Sequence, residues 1–145
     1  MSNLKVEKTI KGFIDMKIMT NFAIAAMSAF SMAASGAMGE SGSVTVTSTL
    51  QDPANYGGCM IRISPGPADI SAYGGGGNLN CPGDVFVSFD CLNSSGQTTK
   101  STAQQMFSTA QLAYVSGAKV NVIVDDSVKL NGFCLARRID LQPPS

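Results

Sequence analysis

Apolar and polar residues alternate with period two in several short stretches of this chain, and recur at three and four residues in one. Ser43–Leu50 (SVTVTSTL) alternates β-branched and small side chains as a half-buried strand does. Gln51–Gly58, with Pro53 and two glycines, predicts a loop. Cys59–Ser64 (CMIRIS) reads as a second strand, stopped by Pro65-Gly66-Pro67. A long excursion follows over Ala68–Pro82, with Gly74–Gly77 inside it. Asp84–Cys91 (DVFVSFDC) is a third strand, with Val85, Val87 and Phe89 on one side and Phe86 and Ser88 on the other. Leu92–Lys100 is a polar loop.

One stretch has the helical period. Ala103, Met106, Phe107, Ala110, Ala113 and Tyr114 share a face. Ser101-Thr102-Ala103-Gln104 reads as a capping box that opens the helix, and Gly117 as the left-handed residue that closes it. Lys119–Val124 predicts a fourth strand, Asp125–Gly132 a solvated turn, and Phe133–Leu141 a fifth strand. The order β-β-β-α-β-β is mainly β with one helix, that of a small five-stranded OB-like Greek-key barrel. Another α+β sheet with one covering helix remains open.

The N-terminus has a different pattern. Lys5, Lys8, Lys11 and Lys17 precede an uncharged stretch from Phe22 to Met38, and Ser35-Gly36-Ala37 supplies small residues near its end. This is the order of a secretory signal, with cleavage expected after Ala37; Met16 and Met19 are alternative starts. The apolar core, Phe22–Ala34, is 13 residues long, short of the roughly 20 that a spanning helix needs. The expected organisation is a leader over 1–37 and one domain over 38–145, secreted or periplasmic. The mature chain carries six basic and eight acidic residues, without the basic excess of a nucleic-acid binder.

Export changes the reading of the cysteines. Cys59, Cys81, Cys91 and Cys134 all lie in the mature part, and an even number in an oxidising compartment predicts two disulfides. Zinc would need closely spaced pairs or histidine partners, and the chain has no His. Four cysteines allow three pairings, and an OB topology selects one. There, strands two and three are antiparallel neighbours and strands three and five run parallel. Cys59, opening strand two, then meets Cys91, closing strand three; Cys81, just before strand three, meets Cys134, near the start of strand five.

Catalytic chemistry is poorly supplied. Without His, Ser-His-Asp and Cys-His catalysis in their usual forms are excluded. Asp84 and Asp90 would stand about 20 Å apart on one strand, too far even for an inverting glycosidase. Gly74–Gly77 lacks the Lys and the helix of a phosphate loop. Asp125-Asp126 lacks the spaced oxygen ligands of a calcium loop. Asn93-Ser94-Ser95 is a sequon, silent in a bacterial pathway. No metal, cofactor or enzymatic activity is expected. Two features suit binding instead. Tyr56 and Tyr73 are loop aromatics able to stack on a sugar, and Arg137-Arg138 places one guanidinium on each face of the last strand. Arg137 is the candidate to hold a carboxylate; an ion pair with Asp140 or Asp90 is the structural alternative.

The run Ala110-Gln111-Leu112-Ala113-Tyr114-Val115-Ser116-Gly117-Ala118-Lys119-Val120, with Ser41-Gly42-Ser43-Val44, resembles the B subunits of subtilase- and pertussis-like AB5 toxins. In that family the helix likewise ends through small and aromatic residues into Gly and a β-branched strand, and a serine at the entry to the first strand contacts sialic acid. The resemblance implies an exported OB fold, a homo-oligomeric ring and a cell-surface glycan as ligand, and it adds Ser41 and Ser43 to the candidate glycan-binding residues Tyr56, Tyr73 and Arg137. The alternative is an envelope structural, protein-interaction or inhibitor domain with a protein partner.

Overall fold

The computed structural model describes residues 36–82 and 86–143. Residues 1–35 of the expected leader, and Asp84 and Val85 of the third predicted strand, lie outside them. The chain is mainly β with one helix. Its elements are β1 (Met38–Glu40), β2 (Val44–Gln51), β3 (Gly58–Ser64), a single 3₁₀ turn (Pro67–Asp69), β4 (Phe86–Asp90), α1 (Lys100–Ser116), β5 (Lys119–Leu130) and β6 (Phe133–Leu141).

The sheet order is β1-β5-β2-β3-β4-β6, and β5 also pairs with β6. Neighbours are antiparallel except β4 and β6, which run parallel. Period-two alternation sorts the two faces. Val44, Val46, Ile61, Ile63, Val87, Phe89, Val120, Val122 and Val124 turn inward and are almost wholly buried. The helix closes this core with Ala103, Met106, Phe107, Ala110 and Ala113, and the rings of Phe107 and Phe89 meet edge-on at 6.0 Å. Cys59 is bonded to Cys91 (Cα–Cα 5.9 Å) and Cys81 to Cys134 (5.5 Å), the pairing expected from the antiparallel β3–β4 and parallel β4–β6 contacts.

Several local expectations are corrected. The helix begins two residues earlier than the capping box implies: Thr99 is the cap, its Oγ1 accepting from Thr102 N–H at 3.2 Å, so Ser101 lies inside the first turn. Gly117 does close the helix, at φ +71°. Tyr114 belongs to the apolar face by angle but is 48% exposed, unlike its neighbour Ala113 at 1%. The solvated turn expected over Asp125–Gly132 is mostly strand. β5 runs on to Leu130, and the turn is Asn131-Gly132 alone, at φ +49° and +90°. Asn-Gly is the sequence signal for a two-residue hairpin, since both positions need positive φ. Asp125 is accordingly 4% exposed rather than solvated.

β1 had no sequence signal. It pairs with Ile123–Asp125 on the same edge of β5 that receives β2 at Lys119–Val120. Between them Ser41 keeps the ladder continuous: its N–H donates to Val122 O at 2.9 Å, and its Oγ accepts from Val122 N–H at 2.8 Å. Gly39 is required here because a Cβ would lie 2.5 Å from Ser71 O, where the Gly-rich excursion crosses β1.

Candidate functional site

Alternation that buries Val120, Val122 and Val124 turns Asn121 and Ile123 outward, and register extends that outer face across three strands. Glu40 of β1 stands opposite Ile123, which stands opposite Arg138 of β6; Asn121 stands opposite Asp140. The excursion after β3 folds back over this face. Tyr73 N–H donates to Met38 O at 2.8 Å, and Ala72 bridges to Gly39. These bonds bring the Tyr73 ring to the edge of the polar row with 54% of the residue exposed.

One carboxylate organises the cluster. Glu40 Oε2 accepts from the Tyr73 hydroxyl at 3.2 Å, and Glu40 Oε1 accepts from the Asn121 side-chain amide. Arg138 donates through Nε to Asp140 Oδ1 at 3.0 Å, while its side chain remains 63% exposed. Partial desolvation, then the charge and hydrogen bond of Glu40, hold the Tyr73 hydroxyl above its usual range; Arg138 pulls the other way. At neutral pH Tyr73 is a protonated donor with its ring fixed in place. The Asp140 hydrogen bond and charge raise Arg138 further above its already high value, so it is a permanent cation.

The face therefore combines an immobilised aromatic ring, a carboxylate, an amide and a guanidinium. No group of three or more His, Cys, Asp or Glu among the described residues is placed to hold a metal.

The sequence candidates are distributed unevenly over the molecule. Tyr73 is at the centre of this face, and Ser41 reaches it from below, its Oγ 3.5 Å from Asn121 Oδ1 but already engaged by Val122 N–H. Ser43 is elsewhere, on a groove of about 630 Å³ with Ser116, Lys119 and Gln142; Lys119 Nζ there donates to Thr45 Oγ1 at 2.5 Å. Tyr56 is half-buried at φ +56°, its ring edge-on to Phe133 at 5.5 Å, beside a separate cavity of about 360 Å³. Arg137 donates twice to Asp125 Oδ2, at 2.8 and 2.6 Å, and once to Gln97 Oε1 at 3.0 Å. The carboxylate it holds is the chain's own Asp125, while the ion pair expected with Asp140 is made by the exposed Arg138. Asp90 instead caps the loop after β4, accepting from the N–H groups of Ser94 and Ser95.

Sequence reasoning missed Glu40 and Asn121, and chose Arg137 over Arg138 as the arginine open to a ligand. Asn121 was findable, as the polar outward position in Lys119–Val124 (KVNVIV). Arg138 was not. A bulge pairs Ile123 with Arg138 but Val124 with Ala136, leaving Arg137 unpaired, and it decides which arginine reaches the polar face.

In comparisons with known proteins, no family model matches this chain, and neither does any curated protein or solved structure. The functional reading therefore rests on the site.

Proposed function

We propose that this protein is an exported, non-catalytic binding module whose ligand is a glycan held on the Tyr73 face. The carrying observation is the Tyr73 ring, more than half exposed yet pinned through its hydroxyl by Glu40. A sugar presents an apolar C–H face that lies flat on an aromatic ring, and hydroxyls that need donors and acceptors around its rim. Glu40, Asn121 and Arg138 supply both, and the fixed ring loses little freedom on binding. Arg138 in addition suits an acidic sugar, whose carboxylate a guanidinium engages bidentately.

Export is supported by the Lys-rich start, the apolar stretch and two disulfides, which belong to an oxidising compartment. No helix among the described residues is long and apolar enough to cross a membrane. The fold reading is an OB-like barrel. Its support is the succession β2-β3-β4-β6-β5, which returns to β2 through the β5–β2 pairing, with the helix between the third and fourth of these strands along the chain.

A glycan array decides the ligand class. Wild type binds a subset of glycans, Tyr73→Ala loses at least about tenfold in affinity, and Tyr56→Ala binds as wild type. No binding by wild type removes the glycan reading. Mass in solution addresses the toxin-like version: a ring multiplies weak single-site contacts through avidity, and a monomer removes that version.

A second reading, a protein-interaction domain, draws on the outer side of α1. Leu112 and Val115 are 54% and 77% exposed there, next to the half-exposed Tyr114. Leu112→Ser with Val115→Ser leaves glycan binding unchanged if the Tyr73 face is the functional surface.

A further inference from the structure

Among the described residues, Ala37 is the first whose backbone is bonded into the sheet. Its carbonyl accepts from Asp126 N–H at 2.9 Å, and its nitrogen donates to Asp126 Oδ1 at 2.5 Å. The other oxygen, Asp126 Oδ2, accepts from Asn80 N–H at 2.9 Å. One side chain thus ties the start of the chain to the end of the Gly-rich excursion.

Among the described residues, that side chain makes no ion pair. The ion pairs among the described residues are Arg137–Asp125 and Arg138–Asp140. Lys129 is near, but its ammonium donates to the backbone carbonyl of Asp126 at 2.8 Å. A half-buried carboxylate is therefore aimed at a backbone nitrogen, where a neutral N–H meets only half of what it offers. An α-ammonium at the same nitrogen would keep the geometry and put a full positive charge opposite the carboxylate, turning a bond in which only the acceptor is ionised into an ion pair. Gly36 lies so close to Ser127 that a Cβ would fall 1.8 Å from the Ser127 Cβ, so only glycine can occupy the position in the uncut chain. Ala34 and Gly36 are small enough for the third position before a cleaved bond and the one directly before it.

We propose that the leader is removed between Gly36 and Ala37, one residue before the bond that Ser35-Gly36-Ala37 alone favours, and that the new α-ammonium of Ala37 docks on Asp126 to latch β1. The inference rests on the export reading above. A signal peptidase hydrolyses the peptide bond: the hydroxyl of water joins the Gly36 carbonyl carbon, and the Ala37 nitrogen leaves as an amine that protonates at neutral pH. The cavity of about 500 Å³ that Gly36 shares with Tyr73, Asn78 and Asp126 gains the space that residue 36 occupied. Processing would thereby clear the ground beside the proposed binding face.

The test is the full-length chain expressed in a Gram-negative host, its exported form read by intact mass and N-terminal sequencing. A start at Ala37 is the expected result. A start at Gly36, Met38 or any other position after a cut overturns the assignment while export stands. A chain recovered uncut in the cytoplasm overturns both. The latch has its own readout in the same material, the pH dependence of α-amine labelling. In the folded protein the amine titrates above the ordinary α-amino range of about 7.7–8.0, and in denaturant it returns to that range. Equal values in the two states overturn the latch, and Asp126→Asn, if it folds, lowers the folded value toward the denatured one.

Discussion

Two arginines stand side by side on β6, and the regions they enter differ in kind. Arg137 turns towards Asp125, whose side chain is 5% exposed, and gives that carboxylate two hydrogen bonds while Ser127 supplies two more. Arg138 shares the outer face with Glu40 and Asn121 and holds Asp140 at 2.8 Å with its own side chain 63% exposed. The sequence chemistry is the same in both regions, an arginine beside an aspartate. What differs is water. In the first region every group is committed to another part of the chain, so the charges serve the fold. In the second, solvent still covers most of the guanidinium, and a ligand can replace it at little cost to stability. The difference teaches that the same charged pair serves the fold where it is buried and stays open to exchange with solvent where the fold leaves it wet.

The largest effect should come from the buried side. Asp125→Ala strands Arg137 and two Ser127 donors, and should lower the unfolding free energy by about 2 kcal/mol, below the full cost of breaking a buried pair because Arg137 is partly solvated. Urea unfolding measures it, and a loss under about 0.5 kcal/mol would place Asp125 with ordinary surface residues.

Acid titration sharpens the same point. Burial pushes the Asp125 carboxyl upward, but the hydrogen bonds from Ser127 and Arg137 outweigh it, and the folded-state value is lowered. A lowered value contributes stability above the unfolded value of about 3.9 and loses it as pH falls through the folded one. Wild type should therefore lose stability below about pH 4 more steeply than Asp125→Asn. Parallel acid limbs for the two proteins would contradict the buried pair.

The helix start repeats the contrast between a committed and a solvated side chain. Thr99→Ala removes the hydroxyl that accepts from Thr102 N–H and should cost on the order of 1 kcal/mol, whereas Ser101→Ala, inside the first turn, should stay within about 0.5 kcal/mol of wild type. Reversed values would restore Ser101 as the cap.

The smallest change in stability belongs to the exposed side. Arg138→Ala should leave the urea midpoint where it is and weaken glycan binding instead. A shifted midpoint with binding intact would make Arg138 a structural residue like Arg137, and the comparison would fail.

Much of this fold was legible beforehand because its signals are local. The alternation in Ser43–Leu50 and Lys119–Val124, the helical period from Ala103 to Ala113, and Gly117 each describe a few neighbouring residues whose conformation depends mainly on one another. The disulfide pairing needed one further step, a topology, because parallel and antiparallel neighbours bring different strand ends together. The Asn131-Gly132 turn was equally legible and was passed over for the acidic pair before it, which β5 carries into the sheet.

The candidate site had no such local signature. Tyr73 meets Glu40 across 33 positions and Asn121 meets Glu40 across 81, so no window along the chain contains the cluster. β1 exists only because β5 offers it an edge, and the bulge at Arg137 depends on how β5 and β6 register against each other. Sequence by itself determined the existence of the five longer strands, the helix, the cysteines available for stapling and the absence of histidine, since period, turn chemistry and composition act at short range. Tertiary structure alone decided which tyrosine is exposed and held, which arginine faces water and which carboxylate each one meets. Those are properties of surfaces brought together by burial of the core, and no residue carries them before the chain has folded.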